Sequence, residues 1–228
     1  MTSAELIKNV ARAALTVAAI AVLPRQVRKP MWWPGRFFAR VMNATHAGLT
    51  RWGLSHVTIG ENSTILDVGC GGGRTIRTLA EMASAGKVCG IDYSNASVAV
   101  ARSTNARAIE AGRVDIRQGT VSQLPYADAT FDVVTAVETH YYWPDLVNDL
   151  REVRRVLKPG GTFAIIAEAY KGGKFDAVSG LTMKVMLSAK YLSVDEHRQL
   201  FEAAGFADVA TFEERGKGWL CVIGKKSV

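Results

Sequence analysis

Four glycines crowd the stretch ILDVGCGGGRT, residues 65–75, and the acid ahead of them completes the pattern DxGxGxG: Asp67, Gly69, Gly71 and Gly73. Glycine adopts backbone angles that other residues avoid, and it lets another group come close to the main chain. A buried run from Ile65 to Val68 that breaks into such a turn, with a helix beginning near Arg74, turns backbone N–H groups toward a ligand. A nucleotide-like molecule is expected at that edge. A second acid, Asp92, closes the next apolar run in VCGIDYS. A carboxylate there can accept both hydroxyls of a ribose, and Tyr93 beside it can lie on a purine.

Spacing narrows the choice of nucleotide. The dinucleotide fingerprint GxGxxG fails in both frames, because Gly69 and Gly71 are followed by Arg74, and Gly71 and Gly73 by Ile76. That disfavours a nicotinamide dehydrogenase. A phosphate loop fails too, since no Gly-Lys-Ser/Thr follows.

The elements that must hold these residues alternate. β-rich runs at 64–68, 87–92, 113–118, 131–137 and 162–168 are separated by helical segments, which implies a parallel sheet covered on both faces. Asp145 can cap a helix whose apolar face is Leu146, Leu150, Val153 and Leu157, with Lys158 to Gly161 (KPGG) as its stop. Runs at 207–212 and 219–224 flank EERGKG and read as a closing antiparallel hairpin.

Composition bounds the rest. A chain of 228 residues, 48% hydrophobic and 21% charged, can build one large soluble domain with an appendage. Cys70, Cys89 and Cys221 lack a CxxC pair, so neither a disulfide framework nor a zinc site is expected, and the protein reads as reduced and cytoplasmic. The net charge of +7 sits in residues 1–51, where eight Lys or Arg face a single acid, Glu5. The body is neutral, which argues against a nucleic-acid partner.

Within that leader, residues 13–23 form an uncharged run stopped by Pro24. It is too short to span a bilayer, and no small-residue cleavage site follows. A helix packing on the body, on a second subunit or on a membrane surface is expected, without stable membrane insertion.

With these motifs in order, the chain resembles the class I S-adenosylmethionine-dependent methyltransferases. It looks most like the small-molecule branch that includes the ubiquinone and menaquinone biosynthesis enzymes. The resemblance covers about residues 59–224 and rests on ILDVGCGGG, GIDYS, GTVSQLPYADATFDVVTAVE and REVRRVLKPGG. It implies an α/β, Rossmann-like, seven-stranded and mostly parallel sheet with an antiparallel C-terminal hairpin strand and an N-terminal helical extension. The extension is drawn as 1–58 and the methyltransferase domain as 59–228, with the insertion at 170–190 as a lid.

Carried onto this sequence, the resemblance puts Asp67 and the backbone of Gly69, Cys70 and Gly71 near the methionine end of S-adenosylmethionine, and Asp92 on its ribose. Where family members often carry an acid for the adenine amino group, this chain has Thr120, with the N–H of Val121 beside it. Acceptor-facing residues follow the fourth strand: Glu138, Thr139, His140, Tyr141, Tyr142 and Trp143. His140 is the natural general base, neutral near cell pH. Glu138 is expected to orient it or to contact the cofactor's amino group. Asn43, His46 and Glu168 are expected to complete the acceptor pocket, and nothing requires a metal.

The expected activity is methyl transfer to a small molecule, at a hydroxyl. Carbon methylation of a quinone-like or lipid-soluble acceptor, for which the apolar leader argues, and a cofactor-binding module without turnover are the alternatives. A homodimer through the leader is expected.

Overall fold

The computed structural model describes residues 46–174, 176 and 189–228. The expectations for Asn43, for the leader helix and for most of the 170–190 insertion lie outside the described residues.

Runs rich in Val, Ile and Leu become the parallel strands. They are β1 (Thr64–Val68), β2 (Lys87–Asp92), β3 (Val114–Gln118), β4 (Phe131–Val137) and β5 (Leu157–Ala167). β6 (Ala207–Glu214) and β7 (Trp219–Lys225) follow. The seven form one sheet in the order β3-β2-β1-β4-β5-β7-β6. β7 pairs antiparallel with both β5 and β6, while β1 to β5 pair parallel. The Rossmann-like architecture is therefore the one the motifs imply.

Among the described residues, six helices cover the sheet: α1 (Ala47–Leu54), α2 (Arg74–Met82), α3 (Asn95–Thr104), α4 (Ala106–Glu110), α5 (Leu146–Val156) and α6 (Val194–Ala203). Successive strand residues point to opposite faces. Accordingly Ala164 and Ile166 join Leu49, Ile76 and Val98 in one core, whereas Phe163 and Ile165 join Leu150, Val153 and Phe201 in the other. The winding direction reverses between β1 and β4, and ligands of such sheets bind outside the carboxyl ends of the strands at that reversal.

Two boundaries differ from the sequence reading. α5 ends at Val156, and Leu157 opens β5 opposite Phe131; the register then jumps before Val133 pairs with Thr162. The KPGG stretch is thus a bulge inside a strand. The carbonyls of Arg155 and Val156 are taken by the N–H groups of Ala129 and Thr130, and Pro159 disfavours helix at the residue before it.

The second difference is α1. It lies upstream of the boundary drawn at residue 59, yet Leu49 and Leu54 are buried in the core of the α2 face. A Cβ added at Gly53 would stand 2.6 Å from three side-chain atoms of Ile166. Gly53→Val should therefore lower stability by about 1–3 kcal/mol, the usual cost of overpacking. Denaturant unfolding checks it; an unchanged midpoint would mean that α1 is an appendage.

Candidate functional site

A cavity of about 600 Å³ opens at the reversal. Its walls come from the ends of four strands: Gly69 to Gly72 after β1, Asp92 and Tyr93 at β2, Gly119 to Val121 after β3, and Val137 to Thr139 at β4. α1 adds His46 and Thr50, α2 adds Arg74 and Thr78, and the segment after β4 adds Tyr142, Trp143 and Pro144.

The glycine loop works differently from the expectation. The N–H groups of Gly69 and Cys70 both donate to the Ile91 carbonyl, at 2.8 and 3.0 Å, and that of Gly73 donates to Cys70 O at 2.9 Å. The Gly71 N–H donates to Asp92 Oδ2 at 2.9 Å. The first two and the last of these donors hold the loop against β2, that of Gly73 closes the loop on itself, and none of the four is turned toward a ligand. What glycine supplies is room. A Cβ at Gly69 would lie 2.0 Å from Thr139 Oγ1, whereas one at Gly71 would meet no atom within 4 Å. The backbone at Gly71 is thus open to close approach from the cavity. Gly73 caps α2 from behind and does not line the cavity.

Asp67 is likewise displaced from its expected role. It is 1% exposed, accepts a hydrogen bond from Thr135 Oγ1 at 2.8 Å and lies behind the cavity lining. Burial, against the Thr135 bond and with the nearby Asp92 charge, pushes its pKa up to about 7.

Asp92 lines the cavity. Oδ1 accepts from Ser94 N–H at 2.8 Å and Oδ2 from Gly71 N–H at 2.9 Å. An ionised carboxylate has about four acceptor positions, so each oxygen keeps one for a ligand hydroxyl. Burial raises its pKa, and the two N–H bonds oppose that rise. Tyr93, Thr120 and Val121 stand along the same wall.

At the other end of the cavity, Glu138 follows β4 with φ +57°, a left-handed conformation rare for a residue with a side chain. Its Oε1 accepts from Tyr141 OH at 2.8 Å and from Glu168 N–H at 2.6 Å. Burial, reinforced by the Glu168 charge, pushes its pKa up to about 7, against the pull of His46, Tyr141 and the Glu168 N–H. His46 Nε2 lies 3.3 Å from Glu168 Oε1. Burial lowers the His46 pKa, but the Glu168 bond and the charges of Glu138 and Glu168 outweigh it, and the net shift is upward. One ligand-type atom from each of His46, Glu138 and Glu168 lies within 4.8 Å of the others. That spacing would also suit a cation. The sequence reading named all three residues but gave no signal that they meet one another, since three distant segments build the cluster.

His140 departs most from expectation. It begins a single 3₁₀ turn, His140–Tyr142, and is fully buried. It does not line the cavity: its Nε2 lies 3.0 Å from His197 Nε2. Burial, with His197 adding to the effect, drives its pKa well down. The assignment of His140 as the base that touches acceptor therefore fails. Tyr141 also sits behind the wall, 3% exposed, and holds Glu138; Tyr142 and Trp143 line the cavity as expected. Glu168 stands beside the lining rather than in it.

An α/β sheet with this strand order, an acid at the end of β2 and a cavity at the reversal are features that the resemblance to class I S-adenosylmethionine-dependent methyltransferases implies. Residues 66–165 match the family model described as a methyltransferase domain. An O-methyltransferase of Pyrenophora dematioidea is 32% identical over 144 residues, 62% of this chain and 53% of that protein. The demethylmenaquinone methyltransferase of Lactiplantibacillus plantarum is 34% identical over 117 residues, 51% of this chain and 49% of that protein. The chain thus spans about half the length of these curated relatives. Human N-acetylserotonin methyltransferase, solved with S-adenosylmethionine, shares the fold with a TM-score of 0.71 at 17% identity, over 84% of this chain and 55% of that one.

Proposed function

We propose that the protein moves the methyl group of S-adenosylmethionine to a hydroxyl of a small molecule, with Glu138 as the proton acceptor. One observation carries the reading: a single cavity has a diol-competent carboxylate, Asp92, at one end and a carboxyl poised near neutrality, Glu138, at the other. The open face of Gly71 and the spare acceptor positions of Asp92 suit a nucleoside. Bound there, S-adenosylmethionine would supply an electrophilic methyl on a sulfonium.

The chain's own residues do the remainder. Asp92 fixes the ribose, Tyr93 and Thr120 bound the adenine side, and Tyr142 and Trp143 exclude water from the acceptor. Glu138 would take the proton that the acceptor hydroxyl gives up as it is methylated. A base so placed works best with a pKa near the operating pH.

The relatives named as O-methyltransferases support a hydroxyl, and the menaquinone relative keeps carbon methylation as the second reading. The test is transfer of labelled methyl from S-adenosylmethionine to a fractionated metabolite extract, with and without chelator. Label released by hydriodic acid marks an ether, and label retained marks a C-methyl. Binding without any transfer would make the chain a cofactor-binding module. Activity lost with chelator and restored by a divalent cation would overturn Glu138 as the unaided proton acceptor. Among the described residues no helix is long and apolar enough to cross a membrane. The cytoplasmic location and the homodimer belong to this proposal.

A further inference from the structure

The mechanism leaves His140 and His197 unused, although both are completely buried and face each other. Their protonation can be deduced. His197 Nδ1 lies 2.7 Å from the Ser193 carbonyl, which can only accept, so Nδ1 carries the hydrogen. A neutral His197 then has a bare Nε2. At 3.0 Å from it, His140 Nε2 must be the donor. That leaves the lone pair of His140 Nδ1 without any partner, and this atom is indeed buried and unbonded. An orphaned nitrogen in an apolar wall costs stability, and such a cost calls for a reason.

The reason lies one residue on. Tyr141 follows His140 directly, donates its hydroxyl to Glu138 Oε1 at 2.8 Å and accepts from Ala169 N–H at 3.2 Å. Within the turn, Tyr142 N–H donates to Thr139 O and Trp143 N–H to His140 O, each at 3.2 Å, Lys190 N–H donates to Tyr141 O at 2.7 Å, and Trp143 stacks on Phe163 in the core. The imidazole pair ties this short turn to α6, on the far side from the cavity.

We propose that His197 is a positioning residue for the reaction: by fixing the tautomer and orientation of His140, it holds the turn from which Tyr141 donates to the Glu138 carboxyl. This rests on Glu138 being the proton acceptor. Glu138 is faced by Glu168 at the end of β5, His46 ahead of α1 and Tyr141. His140 is faced by His197 and Tyr141, and His197 by Glu196, which is itself bound to Lys171. Of these, the Tyr141 hydroxyl is the one that the imidazole pair controls, and its bond favours the ionised form of Glu138. Slackening the turn removes that donor, so Glu138 should titrate at higher pH.

The test follows the Glu138 carboxyl directly by carbon NMR, beside turnover against pH, in the full chain. In the wild type, nitrogen NMR should show hydrogen on Nε2 of His140 and on Nδ1 of His197. His197→Phe should move the Glu138 midpoint up by at least about half a pH unit, a roughly threefold loss of turnover below it. His197→Gln, whose amide oxygen can accept from His140 Nε2, should restore the wild-type midpoint. Tyr141→Phe should shift the midpoint in the same direction, and adding His197→Phe to it should shift it no further. A Glu138 midpoint unmoved in folded His197→Phe, a different tautomer pair, or fully additive shifts would each overturn the inference. A midpoint that moves while turnover does not follow would leave the positioning intact and instead sink Glu138 as the proton acceptor.

Discussion

Glu138→Gln should lower turnover by about 10²–10⁴-fold, the usual contribution of a positioned base, while cofactor affinity changes by no more than a few-fold. Glutamine keeps the shape and can still accept from Tyr141 OH and Glu168 N–H, but it cannot take a proton at neutral pH. The pH profile gives the sharper signature. Burial and the Glu168 charge put the Glu138 pKa at about 7, so the active carboxylate is depleted below that pH and accumulates above it. Wild-type turnover should climb through this range, and the variant should lack that limb. Rates for both proteins on the true acceptor, from pH 5 to 9, decide the matter. A variant with the same limb would show that the limb belongs to another group, and one with near-wild-type turnover would remove Glu138 from the chemistry.

Asp92→Ala should weaken S-adenosylmethionine binding by about 1.5–3 kcal/mol, the scale of a hydrogen bond to a charged group. That is roughly a ten- to 150-fold rise in Kd. Two effects combine: the ribose loses its charged acceptor, and the N–H groups of Gly71 and Ser94 lose theirs, which loosens the loop. A 2′-deoxy analogue separates them, because it should lose less affinity from the substitution than the parent cofactor does. Calorimetry on the folded variant checks both numbers. Equal losses for the two ligands would assign the effect to the loop alone.

Local pattern carried much of this. The bounds expected for β1, β2 and β4 are the observed ones, because each is a short apolar run stopped by glycine or a polar residue. Asp92 ends β2, Tyr93 follows it and Thr120 stands two residues past β3, so fixing the strands fixes the wall on which they stand. His140 shows where this stops. Its place after β4 was legible, but a 3₁₀ turn sets its direction, and its partner comes from a helix 57 residues later. The donors of the glycine loop were misread for a similar reason: the Ile91 carbonyl that takes two of them belongs to another strand. His46, Glu138 and Glu168 meet only once α1, β4 and β5 are packed, and no spacing along the chain encodes that.

The placement of β7 bears on how the chain is made. It is inserted between β5 and β6, pairing along most of its length with each. As the polypeptide leaves the ribosome, β6 therefore has no strand to join until β7 has followed it. Until then β5 presents an open edge of unpaired N–H and C=O groups beside a parallel sheet, the kind of surface that recruits other chains. A nascent chain stalled ahead of Trp219 would expose β5 to aggregation, even though every residue of the proposed site had already been synthesised.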